Sequence, residues 1–151
     1  MQHLVLATLA AALLATALPA AAQFQRPEQA VKYRQSAMSL QSSHMGRLFA
    51  MTRGSVPFEA KAAAENIEII ATLNKLQFSA FVEGSDKVGN TRSLPEIWAE
   101  KDKWTAAVAK SQDDVGKLLL AGRSGNLEQI KTAAGAVGQS CDSCHDTFRR
   151  K

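Results

Sequence analysis

The chain contains two cysteines, and both lie close to its end, in the run Cys141-Asp142-Ser143-Cys144-His145. On a helix, side chains three apart emerge about one turn apart, so two such thiols can bond the two vinyl-derived carbons of one haem. The imidazole beside the second cysteine then projects towards the iron as an axial ligand. Three other chemistries compete for the same residues. A disulfide within Cys-x-x-Cys closes a small, strained ring that adds little stability. A thioredoxin-like redox pair needs a βαβ setting. A structural zinc needs four ligands, and beyond residue 22 the chain offers Cys141, Cys144, His145 and one more imidazole, His44. Covalent haem c, with Cys141 and Cys144 as attachment points and His145 as iron ligand, uses the whole motif.

Only Asp146 to Lys151 follow it, with no Met or His. A sixth iron ligand, if there is one, must therefore come from upstream, and the candidates are Met38, Met45, Met51 and His44. His44 lies six residues from Met38, which on a helix points it away from that face.

The elements that must position these residues read as helices. Pro27 suits a first helical position, and Val31, Met38 and Met45 recur every seven residues with Arg34, Gln41 and Leu48 between them. That stripe runs to about Met51 and stops at Gly54-Ser55-Val56-Pro57. Ala63, Ile67, Ile70, Leu73 and Leu76 mark a second helix, and the polar, glycine-containing stretch Glu83 to Ser93 is the longest loop. A third helix opens at Pro95-Glu96 and runs through Ile97, Trp104, Val115 and Leu119 to Gly122. Asn126 with Gln129 resembles a capping box and starts the fourth, whose stripe carries Ile130, Ala134, Val137, Cys141, His145 and Phe148. Trp98 and Trp104 read as packing residues. No strand-length alternation appears. The expected fold is all-α, an antiparallel up-down four-helix bundle enclosing the haem.

Residues 1–22 carry no Lys, Arg, Asp or Glu; the Leu/Ala-rich stretch Leu4 to Leu18 is followed by Pro19 and Ala20-Ala21-Ala22. This reads as a cleaved secretory signal peptide, with 23–151 as the domain, an uncleaved anchor being the competing reading. Export would place the cysteines in an oxidising compartment. With 46% apolar and 21% charged residues the chain can build a packed core, and few aromatics, glycines and prolines argue against a many-stranded β fold. The net charge of +4 comes without any run of five like charges, so no nucleic-acid-binding face is expected, nor membrane insertion once the leader is removed.

The stretches Gln23-Phe24-Gln25-Arg26-Pro27, Val31-Lys32-Tyr33-Arg34-Gln35-Ser36-Ala37-Met38, Ser43-His44-Met45-Gly46-Arg47, Pro95-Glu96-Ile97-Trp98 and Cys141 to Arg149 together resemble the cytochrome c′ family, the class II c-type cytochromes, over Gln23 to Lys151. The resemblance implies a bacterial periplasmic protein, usually a homodimer through its first helices, that is not an enzyme. Its iron would be five-coordinate and high-spin, binding nitric oxide (NO) and carbon monoxide (CO) and exchanging electrons with a redox partner. Position by position it implies Arg34 and Gln35 at the haem propionates, Thr91 and Arg92 bordering the haem edge, and Arg149 on the proximal side. It places Met38 over the distal face. Low-spin members of the class use a Met four residues after a matching Arg as sixth ligand, and Arg34-x-x-x-Met38 fits that pattern too, which would make the chain an electron carrier alone. A Met-lined distal face offers no hydrogen-bond donor, so poor dioxygen binding is expected. Peroxidase chemistry, a reading of another class, needs a distal acid/base pair, and Arg34 is the one basic residue on the presumed face.

Overall fold

The computed structural model describes residues 23–151; the leader expected over 1–22 lies outside them. Four long helices and one short one form the architecture: α1 (Pro27–Thr52), α2 (Ala60–Phe78), α3 (Glu96–Ala99), α4 (Lys101–Ser124) and α5 (Leu127–Phe148). Each boundary has a local cause. Pro27 opens α1, where its missing N–H costs nothing, and the Gln29 side chain accepts the Arg26 N–H at 3.3 Å. Between α4 and α5 the chain reverses through Gly125, at φ 64°, whose N–H reaches the Gly122 carbonyl at 3.2 Å. Asn126 Oδ1 then accepts the Gln129 N–H at 3.0 Å and caps α5.

The third helix expected from Pro95 to Gly122 is two helices. Glu100 leaves the helical region, at φ −110° and ψ 58°, and separates the single turn of α3 from α4. Ile97 and Trp104 keep their seven-residue spacing across the break, so apolar periodicity does not register it.

The long helices close a four-membered bundle. α1 packs on α2, α2 on α4 and α4 on α5, while α1 and α5 touch more sparsely. Leu48, Ile67, Ile70, Leu118, Ile130 and Val137 are fully enclosed and fill the shared core. α2 and α4 come close because position 122 has no side chain: a Cβ on Gly122 would stand 3.0 Å from Ile67 Cδ1. Among the described residues no helix is long and apolar enough to cross a membrane.

The bundle thus has one tight side, around Ile67, and one open side between α1 and α5. Ile67→Ala should lower the unfolding free energy of the haem-loaded protein by about 2–5 kcal/mol. Leu120→Ala, at a position 64% exposed on α4, should change it by less than about 0.5 kcal/mol. Urea titrations of the two variants read this contrast directly, and equal losses would mean that Ile67 is not a core residue.

Candidate functional site

Where α1 and α5 part, a cavity of about 970 Å³ opens, bounded by both helices, the end of α2, Trp104 of α4 and the connection between α2 and α3. That volume is at the upper end of what small-molecule and cofactor sites occupy. α5 brings Cys141, Cys144 and His145 to its wall, with Arg149 just past its end, and α1 brings Arg34, Gln35, Met38, Gln41 and Met45. Thr91 and Arg92 come from the connection. All nine site residues expected from the sequence therefore line one space. Met51 belongs to the core and His44 lies outside the cavity, its Nδ1 2.8 Å from Asn66 Oδ1.

Both cysteines are free thiols. Burial raises the pKa of Cys141, helped by Asp142, and pushes that of Cys144 up to about 11, so both are protonated at neutral pH. Burial, with the nearby Arg149 cation, lowers the His145 pKa and favours the neutral imidazole that a metal needs as ligand. Arg149 Nη1 stands 3.5 Å from His145 Nδ1, at the outer limit of a hydrogen bond.

Arg34 is only 2% exposed, and all of its terminal N–H groups are engaged within the protein. Nη1 donates to the Ala80 carbonyl at 3.0 Å and to Ser85 Oγ at 2.6 Å. Nη2 donates to the Ser85 carbonyl and to Thr91 Oγ1, each at 2.8 Å, and reaches Ser93 Oγ at 3.1 Å. Its guanidinium also lies 4.7 Å above the Phe81 ring. Burial lowers its pKa to about 10, opposed by Asp86, and it remains a cation at neutral pH. Beside it Gln35 Nε2 donates to the Asn90 carbonyl at 2.7 Å. Arg34 thus organises residues 80–93, a role that spacing alone did not indicate.

The far end of that connection is fastened to the motif helix. Leu94 N–H donates to the Phe148 carbonyl at 3.0 Å and Arg150 N–H to the Arg92 carbonyl at 2.8 Å. Arg92 Nε donates to the Arg150 carbonyl at 2.8 Å. Aromatic rings wall the space between: Trp104 lies 4.7 Å from Phe81, 6.0 Å from Phe78 and 5.3 Å from Phe148, ring centre to ring centre. This cluster was not singled out from the sequence, since its members come from the connection and three different helices.

Comparison with known proteins agrees with the geometry. The family model described as Cytochrome C′ matches residues 29–149. The chain belongs to the cytochrome c′ family. Cytochrome c′ of Rubrivivax gelatinosus is 46% identical over 85% of this chain and all of its own length. Its crystal structure superposes with a TM-score of 0.83, at 45% identity over the same shares of both chains. Cytochrome c′ of Alcaligenes xylosoxydans xylosoxydans is 40% identical over 85% of this chain and 99% of its own. Solved variants of the Alcaligenes xylosoxidans protein carry carbon monoxide or nitric oxide, and each superposes with a TM-score of 0.80 at 38% identity, over 85% of this chain.

A cytochrome c′ holds haem c covalently, and the cavity here suits that group. Methionine and aromatic side chains make much of its wall, its two cysteines and His145 stand within one turn and a half of α5, and its charged lining is one-sided. Arg34, Arg53, Arg92 and Arg149 face only Asp142, an excess of positive charge that matches two propionates. Cys141 and Cys144 would hold the haem and His145 its iron.

Replacing Arg34 would leave the Ala80 and Ser85 carbonyls and the Ser85 and Ser93 hydroxyls short of a donor, while Thr91 Oγ1 would keep only the Ser93 N–H. Arg34→Met is expected to cost about 3 kcal/mol or more in unfolding free energy. It should also make residues 80–93 a site of early proteolysis. Arg34→Lys should restore little, because one ammonium cannot reach the acceptors that two Nη atoms serve. Limited proteolysis with fragment mass analysis checks this, and a wild-type cleavage pattern in Arg34→Met would contradict it.

Proposed function

We propose that this cytochrome c′ works in the bacterial periplasm with an open axial position on the Met38 side of its haem, taking up nitric oxide and carbon monoxide and passing electrons to a redox partner, without enzymatic turnover. The observation that carries the reading is that His145 on α5 and Met38 on α1 line the same cavity, with gas complexes known for the Alcaligenes xylosoxidans relative. When bound, the haem supplies the iron that holds the gas and carries the electron. The protein would supply one nitrogen ligand to the iron, from His145, together with the walls that exclude water and the charges that orient the haem. Met38, half-buried, caps the α1 side of the space.

Gln35, Thr91 and Arg92 border the propionate edge in this reading, and Arg149 stands beside His145 on the proximal side. Arg34, whose terminal N–H groups face protein acceptors, acts on the propionates as a nearby charge. Export rests on the apolar leader and its Ala-x-Ala site. Pairing of two copies through the first helices is supported by Leu40 on α1 and by Ile69 and Leu76 on α2, large apolar side chains 54%, 41% and 41% exposed on neighbouring helices.

The alternative in which Met38 binds the iron makes an opposite spectroscopic forecast. The dithionite-reduced protein should show a broad visible band and a high-spin Soret band that shifts when carbon monoxide is added. A sharp α-band that carbon monoxide leaves unmoved would overturn the open-iron reading and make the protein an electron carrier alone.

A further inference from the structure

The α1 wall of the cavity holds a group that an apolar distal face does not account for. Gln41 follows Arg34 by two turns, Met38 by three residues and precedes Met45 by four, and all four side chains line the cavity. It is 5% exposed, and its Oε1 is fully enclosed without a hydrogen-bond partner. Gln77, at the end of α2, lines the same cavity, is also 5% exposed, and has the same unpartnered oxygen. The other buried polar side chains of this lining are engaged: Arg34 as described, Ser111 by Asn74 Nδ2 at 2.9 Å, and Ser140 with the Val137 carbonyl at 3.0 Å.

An unpartnered buried amide is costly, and polar groups left so at a functional site commonly wait for a ligand. A carboxamide has two donors as well as its acceptor, and with Oε1 enclosed it is the Nε2 end, not enclosed and bonded to no protein acceptor, that can meet a ligand in the cavity. Hydrogen-bond donors in the distal pocket are among the features that decide how a haem protein treats diatomic gases. The unmet polar group lies within one turn of Met38, on the wall where the gas would sit.

We propose that Gln41 supplies an N–H donor to a diatomic gas held on the Met38 side of the haem, so that this distal face is polar. The inference rests on the open-iron reading above, and it replaces the expectation of a donor-free, Met-lined face. Gln41 is then a specificity-determining residue: it favours a gas whose outer atom carries partial negative charge and holds it longer.

The test compares the ferrous haem-loaded protein with its Gln41→Met and Gln41→Leu variants, using carbon monoxide as probe. Both substitutions put an apolar side chain of similar bulk in place of the carboxamide and delete the N–H. The C–O stretching frequency should move to higher values in both variants, and carbon monoxide should leave about threefold to tenfold faster. A stretch and a release rate equal to those of the wild type would overturn the inference while leaving the open iron intact. A change in reduction potential with an unmoved stretch would also overturn it, by placing the carboxamide at the haem edge. A wild-type protein that takes up no carbon monoxide overturns the open-iron reading, and this inference falls with it.

Discussion

The guanidinium of Arg34, enclosed on α1, gives its terminal N–H groups to a stretch of chain that has no regular structure of its own. Residues 79–95 form no helix and pair with a neighbouring segment only at Ser93, through a single bridge to Arg149. Backbone groups in such a segment need partners, and here a side chain from another element provides them. Because Nη1 and Nη2 lie in one rigid plane, the acceptors they hold are fixed relative to one another and to α1. The same segment is hydrogen-bonded at its other end to the residues that finish α5. One cation therefore sets the spacing between the helix that carries Met38 and the helix that carries Cys141, Cys144 and His145, although those two helices touch only sparsely.

That sparse contact is what makes room for a haem. A bundle of four helices with uniform apolar stripes would close on itself at interior density. α1 and α5 instead have polar residues where their stripes face each other: Arg34 and Gln41 on one, Ser140 and the motif on the other. α5 also has small residues there, Gly135 and Gly138, both of which line the cavity. Opposite them, Ile67 against the bare Gly122 draws α2 and α4 together on the far side of the bundle. The molecule is tight where it needs stability and open where it needs a cofactor. The arginine strap compensates for the packing that the opening removes.

Much of this was legible in the residues. The Cys-x-x-Cys-His run specified the cofactor because its spacing is a geometric demand, and the four apolar stripes specified the bundle because helical periodicity survives without knowledge of neighbours. Cys141, Cys144, His145, Met38 and Gln35 came together as expected. Arg34 reached the expected cavity, but its partners Ala80, Ser85 and Ser93 belong to a connection whose path no periodicity describes, so spacing could not show that it binds protein groups. The break at Glu100 was invisible for the converse reason: the seven-residue spacing from Ile97 to Trp104 is unaffected by it. Gln41 was visible in the stripe of α1, between Met38 and Met45, and a polar residue in a buried stripe was the available signal. What the sequence could not show was that its oxygen has no partner there.

Charge completes the account of why the site is arranged as it is. A covalent tether fixes the haem at one edge but leaves its rotation about that edge to the surrounding walls. The cavity's charged lining is four arginines to one aspartate, and of the four, Arg34, Arg92 and Arg149 belong to the network of the strap or stand next to it. A dianionic edge would be drawn to that side, and the aromatic cluster of Phe78, Phe81 and Trp104, on whose Phe81 ring the Arg34 guanidinium itself rests, would flank the apolar part of the ring. The strap that spaces α1 from α5 is thereby also the element that orients what lies between them. A substitution that loosened it would disturb the distal wall and the proximal ligand together, though neither is part of it.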